Sequence, residues 1–409
     1  MFAHVDADAF FASVLVRKHP HLQGKPVLAL GMGGGCVIAA SYEAKAKGVK
    51  TGMRVIEARK LAPGAIEMPS DFRETGLASK QIEAALEEVC PAIEQMSIDE
   101  WFLDLRTMMN GIPEHLDAWA QEIRRTILQR TAISVSVGIG PTKTLAKMAS
   151  EYRKPGGITV VSISDSDQTA HSTLYIVHST FLHDRPAAAI PGIGPRRQIE
   201  TEAHGWKTAW DYANADPAMI RKLFGKPGRE LQQELLGESI YPIAIIRPPK
   251  SVSRCRSFHS TMNRDLVKAH LLKHLEYCTE KMRRSGLATT EIAIWVRGKE
   301  YRHDGRNMRV SKAAETVDDL LMPTLACLKP LLESCGPWNQ VGLALNGLIP
   351  SGSLQQSLFE NPKDAADKEE LQKAVDQLHK RFGRDAVTRA SALQVPSGTK
   401  KEMDLPIIG

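Results

Sequence analysis

Two short acidic clusters, Asp6-Ala7-Asp8 and Ser97-Ile98-Asp99-Glu100, stand at the ends of apolar runs that read as strands. On adjacent strands of one sheet, such ends can bring Asp6, Asp99 and Glu100 within a few ångströms of one another. A pair of divalent cations roughly 3.5–4 Å apart relieves the repulsion such carboxylates otherwise feel. Mg²⁺ suits them, because it prefers oxygen ligands and keeps positions open for substrate phosphates. One ion would lower the pKa of an attacking hydroxyl, and the other would hold a triphosphate and its leaving pyrophosphate. A plainer reading stays open on spacing alone: Asp6 and Asp8 cap the following helix, and Glu100 lies on a solvated face.

The elements that must position these groups are legible as periodicities. Residues 1 to about 10 read as a strand, as do Ile98 to Leu105 and Ile133 to Ile139. The last alternates cleanly, with Ile133, Val135, Val137 and Ile139 on one face. Helical spacing recurs over Gln81 to Val89, His115 to Gln129 and Thr142 to about Tyr152. This order predicts a half-buried antiparallel sheet with helices on one face, an α+β layer. The stretch from about 11 to 70 predicts a small separate lobe. It has a helix to Lys18, strands Val27 to Leu30 and Cys36 to Ala40, and a short helix capped by Ser41 and closed by Gly48. A helical module follows Val161, centred on Ile190-Pro191-Gly192-Ile193-Gly194. An extended linker, Pro242 to Pro249, then leads to an α/β module with strands Glu291 to Arg297 and Val341 to Leu345. The last stretch predicts a polar linker, one amphipathic helix (Leu371, Val375, Leu378, Phe382) and a disordered end.

Composition narrows the function classes. Of the 409 residues, 43% are hydrophobic and 24% charged, an ordinary globular balance. No apolar run approaches the roughly 20 residues of a membrane helix, and the start lacks a signal-peptide pattern, so a cytoplasmic protein is expected. The six cysteines form no CxxC pair, which points to reduced, mostly packed thiols and away from zinc or disulfides. From Pro248 to Leu348, 16 Lys plus Arg face 10 Asp plus Glu, an excess of six that suggests a polyanionic partner.

The run His4-Val5-Asp6-Ala7-Asp8-Ala9-Phe10-Phe11-Ala12-Ser13-Val14 resembles the opening motif of Y-family translesion DNA polymerases. So does Ala40-Ser41-Tyr42-Glu43-Ala44-Lys45 through Met53. Ser97 to Glu100 is similar to the family's second acidic motif. Ser136 to Gly140, Lys143, Leu145 to Lys147 and Lys154 to Gly157 are similar to its third. The motifs are in order, and the resemblance spans roughly residues 1 to 400. It implies a right-hand α+β fold: a ferredoxin-like palm (1–10 and 70–161), fingers (11–69), a helical thumb with a helix–hairpin–helix (162–241), a little finger (248–348) and a tail (349–409). It implies Asp6, Asp99 and Glu100 as metal ligands with the Ala7 carbonyl, for two Mg²⁺ ions with Mn²⁺ as a substitute. Phe11 would be a steric gate against ribonucleotides, and Tyr42, Lys45 and Lys154 would hold the triphosphate; Phe10 reads as core packing. Lys45 stands where many members have arginine, exchanging a bidentate fork for a point charge. Leu15 stands where a glutamate is usual.

The resemblance extends to partners. Gly192 and Gly194 would let backbone N–H groups approach a DNA phosphate, with Arg196 and Arg197 adding charge. Lys250, Arg254 and Arg256 open the basic module on one strand face, opposite Ser251, Ser253 and Cys255, and would track backbone without reading bases. Gln355-Gln356-Ser357-Leu358-Phe359 resembles the pentapeptide that attaches bacterial polymerases to the sliding clamp, with Leu358 and Phe359 as the anchor and Gln355 at its rim. The implied reaction is error-prone, template-directed addition of deoxynucleotides to a primer in DNA repair, without a proofreading exonuclease. It uses primer–template DNA, with accessory subunits possible, in a DinB/UmuC-like protein of the SOS response. Two rivals remain: a catalytically silent paralogue acting as a clamp-binding adaptor, and a nucleotide cyclase with the same sheet and metal logic.

Overall fold

The computed structural model describes residues 1–162, 174–244, 248–298, 302–333, 336–351, 362–383, 386–387 and 389–390, leaving aside the side chains of 362–369 and 380. The chain divides into two units at residues 246–247, inside the expected linker.

The first unit opens with β1 (Phe2–Ala7) and α1 (Phe10–Lys18). A small lobe follows: β2 (Val27–Leu30), β3 (Val37–Ala40), α2 (Tyr42–Lys45), α3 (Val55–Leu61) and β4 (Ile66–Pro69). Next come α4 (Phe72–Glu87), β5 (Ile93–Gln95), β6 (Glu100–Asp104), α5 (Leu116–Thr131), β7 (Val135–Gly140), α6 (Lys143–Tyr152) and β8 (Ile158–Ser162). After β9 (Tyr175–Val177) the unit ends in α7 (His178–Asp184), α8 (Pro195–Ala203), α9 (Ala209–Ala213) and α10 (Pro217–Leu235).

Six of these strands form one sheet in the order β5-β6-β1-β7-β8-β9. β1 is antiparallel to both neighbours, but β7–β8 and β8–β9 are parallel, so the sheet is mixed where an antiparallel one was expected. β9 comes from the stretch expected to be helical and widens the sheet by a strand. Helices α4 and α5 cover one face, packing Ile82, Leu86, Ile123 and Ile127 on Val5, Trp101, Leu103 and Val137. The other face is not open either. α6 crosses β7, β1 and β8 there, and all six residues of β7 are buried. Glycine makes this possible: a β-carbon on Gly138 would lie 2.1 Å from the Ala146 carbonyl oxygen. The alternation in β7 therefore marks only one of its two buried faces.

The small lobe is a three-stranded sheet, β3-β2-β4, with its own apolar clusters. Leu15 is 2% exposed in one of them, against Leu22, Val27 and Ala29, so an apolar residue at this position completes a core. Ser41 precedes α2 without capping it. Its hydroxyl instead accepts from the Val27 N–H and donates to the Lys25 carbonyl. Helices α7 to α10 close around Phe181, Ile190, Ile193, Tyr212 and Phe224.

In the second unit, β10 (Ser251–Thr261), α11 (Arg264–Arg284), β11 (Leu287–Gly298), β12 (His303–Ala314), α12 (Val317–Glu333), β13 (Trp338–Asn346) and β14 (Ile349–Pro350) precede α13 (Pro362–Phe382). The sheet runs β10-β13-β11-β12, and its core with α11 and α12 holds Val252, Ile292, Ile294, Leu343 and Leu345. α13 reverses the expectation for an amphipathic helix. Its polar side is fastened by Asp376 on Arg283 at 2.8 Å, with the His379 ring beside Glu280. Most of its apolar stripe stays outside, with Leu371 and Phe382 each 63% exposed, while Val375 is half-buried. Cys90, Cys278 and Cys327 are buried thiols outside any disulfide, whereas Cys36 and Cys255 are exposed.

Candidate active site

β1 places its odd-numbered residues on the α4/α5 face and His4 and Asp6 on the face α6 crosses. Asp6 is paired across the sheet with Glu100 at the start of β6 and with Ser136 on β7. The Ala7 N–H donates to the Asp99 carbonyl at 2.8 Å, which sets Asp99 beside the same strand end. The Asp99 carboxylate itself accepts a short bond from the Ser97 hydroxyl. Its charge is close enough to help raise the pKa of Asp6.

Among the described residues, one group could hold a metal through three side chains: His4, Asp6 and Glu100, whose ligand atoms lie within 4.8 Å of one another. Asp6 and Glu100 are thus brought together as expected. His4 takes the third place in that group, with Asp99 alongside. Burial holds the Asp6 carboxyl above the usual carboxylate range, despite the Lys154 ammonium 2.6 Å away. For Glu100, burial pushes the same way but is outweighed by bonds from His4 and Lys147, and its pKa falls to about 2. His4 is fully buried and kept neutral, its pKa lowered to about 4 chiefly by burial. Its ring bridges the Ser150 hydroxyl at 2.7 Å and the Glu100 carboxylate at 3.2 Å. The donor set fits a hard divalent cation, because buried carboxylate oxygens dominate it and ammonium charge already lies against two of them.

The groups expected to grip a triphosphate adjoin these carboxylates. Lys154 contacts Asp6 and, at 2.8 Å, Glu151. The Tyr42 hydroxyl donates to Asp8 at 3.4 Å, and burial followed by the Asp8 charge raises its pKa. The Lys45 ammonium sits 4.4 Å from the centre of the Tyr42 ring. Phe11 is half-buried, edge-on to Phe72 with ring centroids 5.7 Å apart, while Phe10 is core at 2% exposure. Asp8 is not a helix cap. Ala9 occupies that position in a left-handed conformation (φ 48°), and no side chain caps α1.

His4, Lys147, Ser150 and Glu151 were not singled out from the sequence. A signal existed for each: His4 shares a strand face with Asp6 at spacing two. Lys147 and Glu151 are four apart on α6, with Ser150 beside them.

Elsewhere, Gly192 has φ +93° and Gly194 precedes α8. Arg196 is exposed, but Arg197 turns back to donate to the Gly192 carbonyl at 3.0 Å and lies over the Phe224 ring. In the second unit Lys250 and Arg256 are exposed. Arg254 packs its guanidinium 4.3 Å from the Tyr277 ring of α11, on the helix-covered side of the sheet. The opposite face carries the cross-strand row Cys255, Gly342, Trp295 and Gly305. Gln355, Leu358 and Phe359 lie outside the described residues.

The impB/mucB/samB family model matches residues 5–151, and the impB/mucB/samB family C-terminal domain matches residues 249–358. A DNA polymerase IV of Moorella thermoacetica is 32% identical over 405 residues, covering 95% of this chain and 95% of that protein. Protein SamB of Salmonella typhimurium is 28% identical over 395 residues, covering 93% and 90%. Among solved structures, an insertion ternary complex of Dbh DNA polymerase aligns with TM-score 0.60 and 25% identity, over 85% of this chain and 99% of that one. A Y-family DNA polymerase chimera aligns with TM-score 0.70 and 24% identity, over the same shares. The chain belongs to the impB/mucB/samB family, the DinB/UmuC-like DNA-directed DNA polymerases of the Y family.

No helix among the described residues is long and apolar enough to cross a membrane.

Proposed function

We propose that the chain adds deoxynucleotides to a primer 3′-hydroxyl under the direction of a template, with low fidelity, in translesion synthesis. The observation that carries this reading is the pairing of Asp6 with Glu100 across adjacent strands, with Asp99 at the same end and Lys154 and Tyr42 beside them. Asp6, Asp99, Glu100 and the Ala7 carbonyl would hold two Mg²⁺ ions, or Mn²⁺ in their place. When bound, these ions supply an activated hydroxyl and neutralise the leaving pyrophosphate.

The chain's own groups do the rest. His4 and Lys147 hold the Glu100 carboxyl ionised and in place. Lys45 and Lys154 offer ammonium charge to the triphosphate and Tyr42 a phenolic donor. The Phe11 ring would act as a steric gate that refuses a ribose 2′-hydroxyl. Of the nearby small residues, Ala9 and Ala39 share its apolar cluster and would leave room for a distorted template, whereas Ala7 and Ala40 are packed in other cores at 2% and 0% exposure.

We assign residues 1–10 and 70–161 to the palm, 11–69 to the fingers, 162–241 to the thumb, 248–348 to the little finger and 349–409 to the tail. Duplex DNA would be held by the Gly192–Arg197 turn and by the exposed Lys250 and Arg256; Arg254, expected to join them, is packed on Tyr277 instead. Gln355, Leu358 and Phe359 would dock on a sliding clamp, as the apolar pair in a polar segment suggests.

Primer extension in Mg²⁺ across undamaged and damaged templates, with and without a sliding clamp, tests this reading. The Asp99→Ala, Glu100→Ala double variant is expected to bind primer–template and incorporate nothing; full activity in it would sink the proposal. Leu358→Ala with Phe359→Ala should remove only the stimulation by the clamp.

A further inference from the structure

Asp8 is a buried carboxylate beside the site that the mechanism above leaves without work. It is 2% exposed, yet its side chain is the meeting point of three separate segments. One oxygen accepts from the Ser134 hydroxyl and the Gly156 N–H, each at 2.8 Å. The other accepts from the Ser136 hydroxyl at 2.8 Å and the Tyr42 hydroxyl at 3.4 Å. Its own backbone is pinned too, with its N–H donating to the Ser134 carbonyl and its carbonyl accepting from the Ser13 hydroxyl. A carboxylate can accept four bonds at once, and no neutral side chain of this size can.

What these donors have in common is the substrate side of the site. Tyr42 begins α2 of the small lobe. Gly156 lies in the turn that carries Lys154, and this turn is itself tightly constrained. Gly156 has φ +64°, and a β-carbon on Gly157 would lie 2.0 Å from the Arg153 carbonyl oxygen. Ser134 and Ser136 fix the carboxylate to β7. Two groups that would grip the triphosphate are therefore tied through Asp8 to the strand end that carries Asp6.

We propose that Asp8 is the positioning residue for the incoming triphosphate, holding Tyr42 and the Lys154 turn in register with the acidic pair. This rests on the polymerase reading above. Asparagine is the informative replacement. Its amide oxygen can keep the Gly156 N–H, whereas its NH₂ must face Ser136 and Tyr42, whose hydroxyls can rotate to accept. Alanine loses every bond.

The test is single-nucleotide incorporation by wild type, Asp8→Asn and Asp8→Ala, with thermal melting and primer–template affinity measured alongside. Losing about 1.4 kcal/mol of binding at the gripping groups weakens affinity tenfold. The KM for the deoxynucleotide should accordingly rise roughly tenfold or more in Asp8→Ala and less in Asp8→Asn, as lost substrate binding does. The change in kcat and in primer–template affinity should stay within about threefold. A loss of melting temperature with KM unchanged, or a fall in kcat at unchanged KM, overturns the proposal. If Asp8→Ala does not fold, an unchanged KM in Asp8→Asn overturns it alone. A wild-type chain that extends no primer removes the reaction and this role together, whereas active wild type with unaltered variants removes the role only.

Discussion

At Gly138 a β-carbon would lie 2.1 Å from both the Ala146 carbonyl oxygen and the Ser150 amide nitrogen. Main chain cannot step aside as a flexible side chain does, so Gly138→Ala must push α6 off the sheet. Overpacking of this kind costs about 1–3 kcal/mol, to be read as a lower urea midpoint. It should also cut nucleotide incorporation, because α6 brings Lys147 to Glu100 and Ser150 to His4. At this scale the nearness of Asp6 and Glu100 was legible, since each ends or begins a strand-like run inside an acidic motif. The role of Asp8 was not. Its partner Gly156 is 148 positions along the chain, and no local pattern links a strand end to a distant turn.

Among the elements, those with a strong apolar period were readable, and those whose surroundings decide them were not. β12 is a polar edge strand of mostly exposed residues, without the alternation that betrayed β7. α11 hides a different feature. His270 and His274, one turn apart, are 6% and 1% exposed against the helix-covered side of β10. Burial first, then the charges of Arg254, Arg256 and Lys273 and, at His274, of His270, lower their pKa values to about 4 and about 3, from 6.5. The neutral rings therefore favour the fold fully above pH 6.5. That contribution is lost as pH falls from there toward the folded-state values, because the unfolded chain then binds protons the folded one refuses. The second unit should lose on the order of a few kcal/mol between pH 6.5 and 4. His274→Leu should flatten that slope in urea unfolding followed by hydrogen exchange of α11; an unchanged slope would speak against the buried imidazole as its cause.

At the scale of the whole molecule, each unit encloses its own apolar core: among the described residues, four clusters in one, a single cluster in the other. The excess of basic residues lies in the second. A fragment of residues 1–244 is expected to fold, to melt cooperatively, and to keep metal-dependent incorporation with a weaker hold on primer–template, measurable as a raised Kd. Where the units divide was readable from the prolines between Pro242 and Pro249. How the chain finishes was not. The stripe of Leu371, Val375, Leu378 and Phe382 resembles the core side of a helix, yet only Val375 of the four is half-buried, and α13 rests chiefly on charge, with the Asp376 carboxylate bonded twice to Arg283. A helix seated on ion pairs answers to dissolved salt in the opposite sense from one seated on oil. Sodium chloride screens the charges that hold it and leaves the pull between apolar surfaces undiminished. Its backbone amides should therefore exchange with deuterium faster as ionic strength rises, while those of the buried α11 keep their pace.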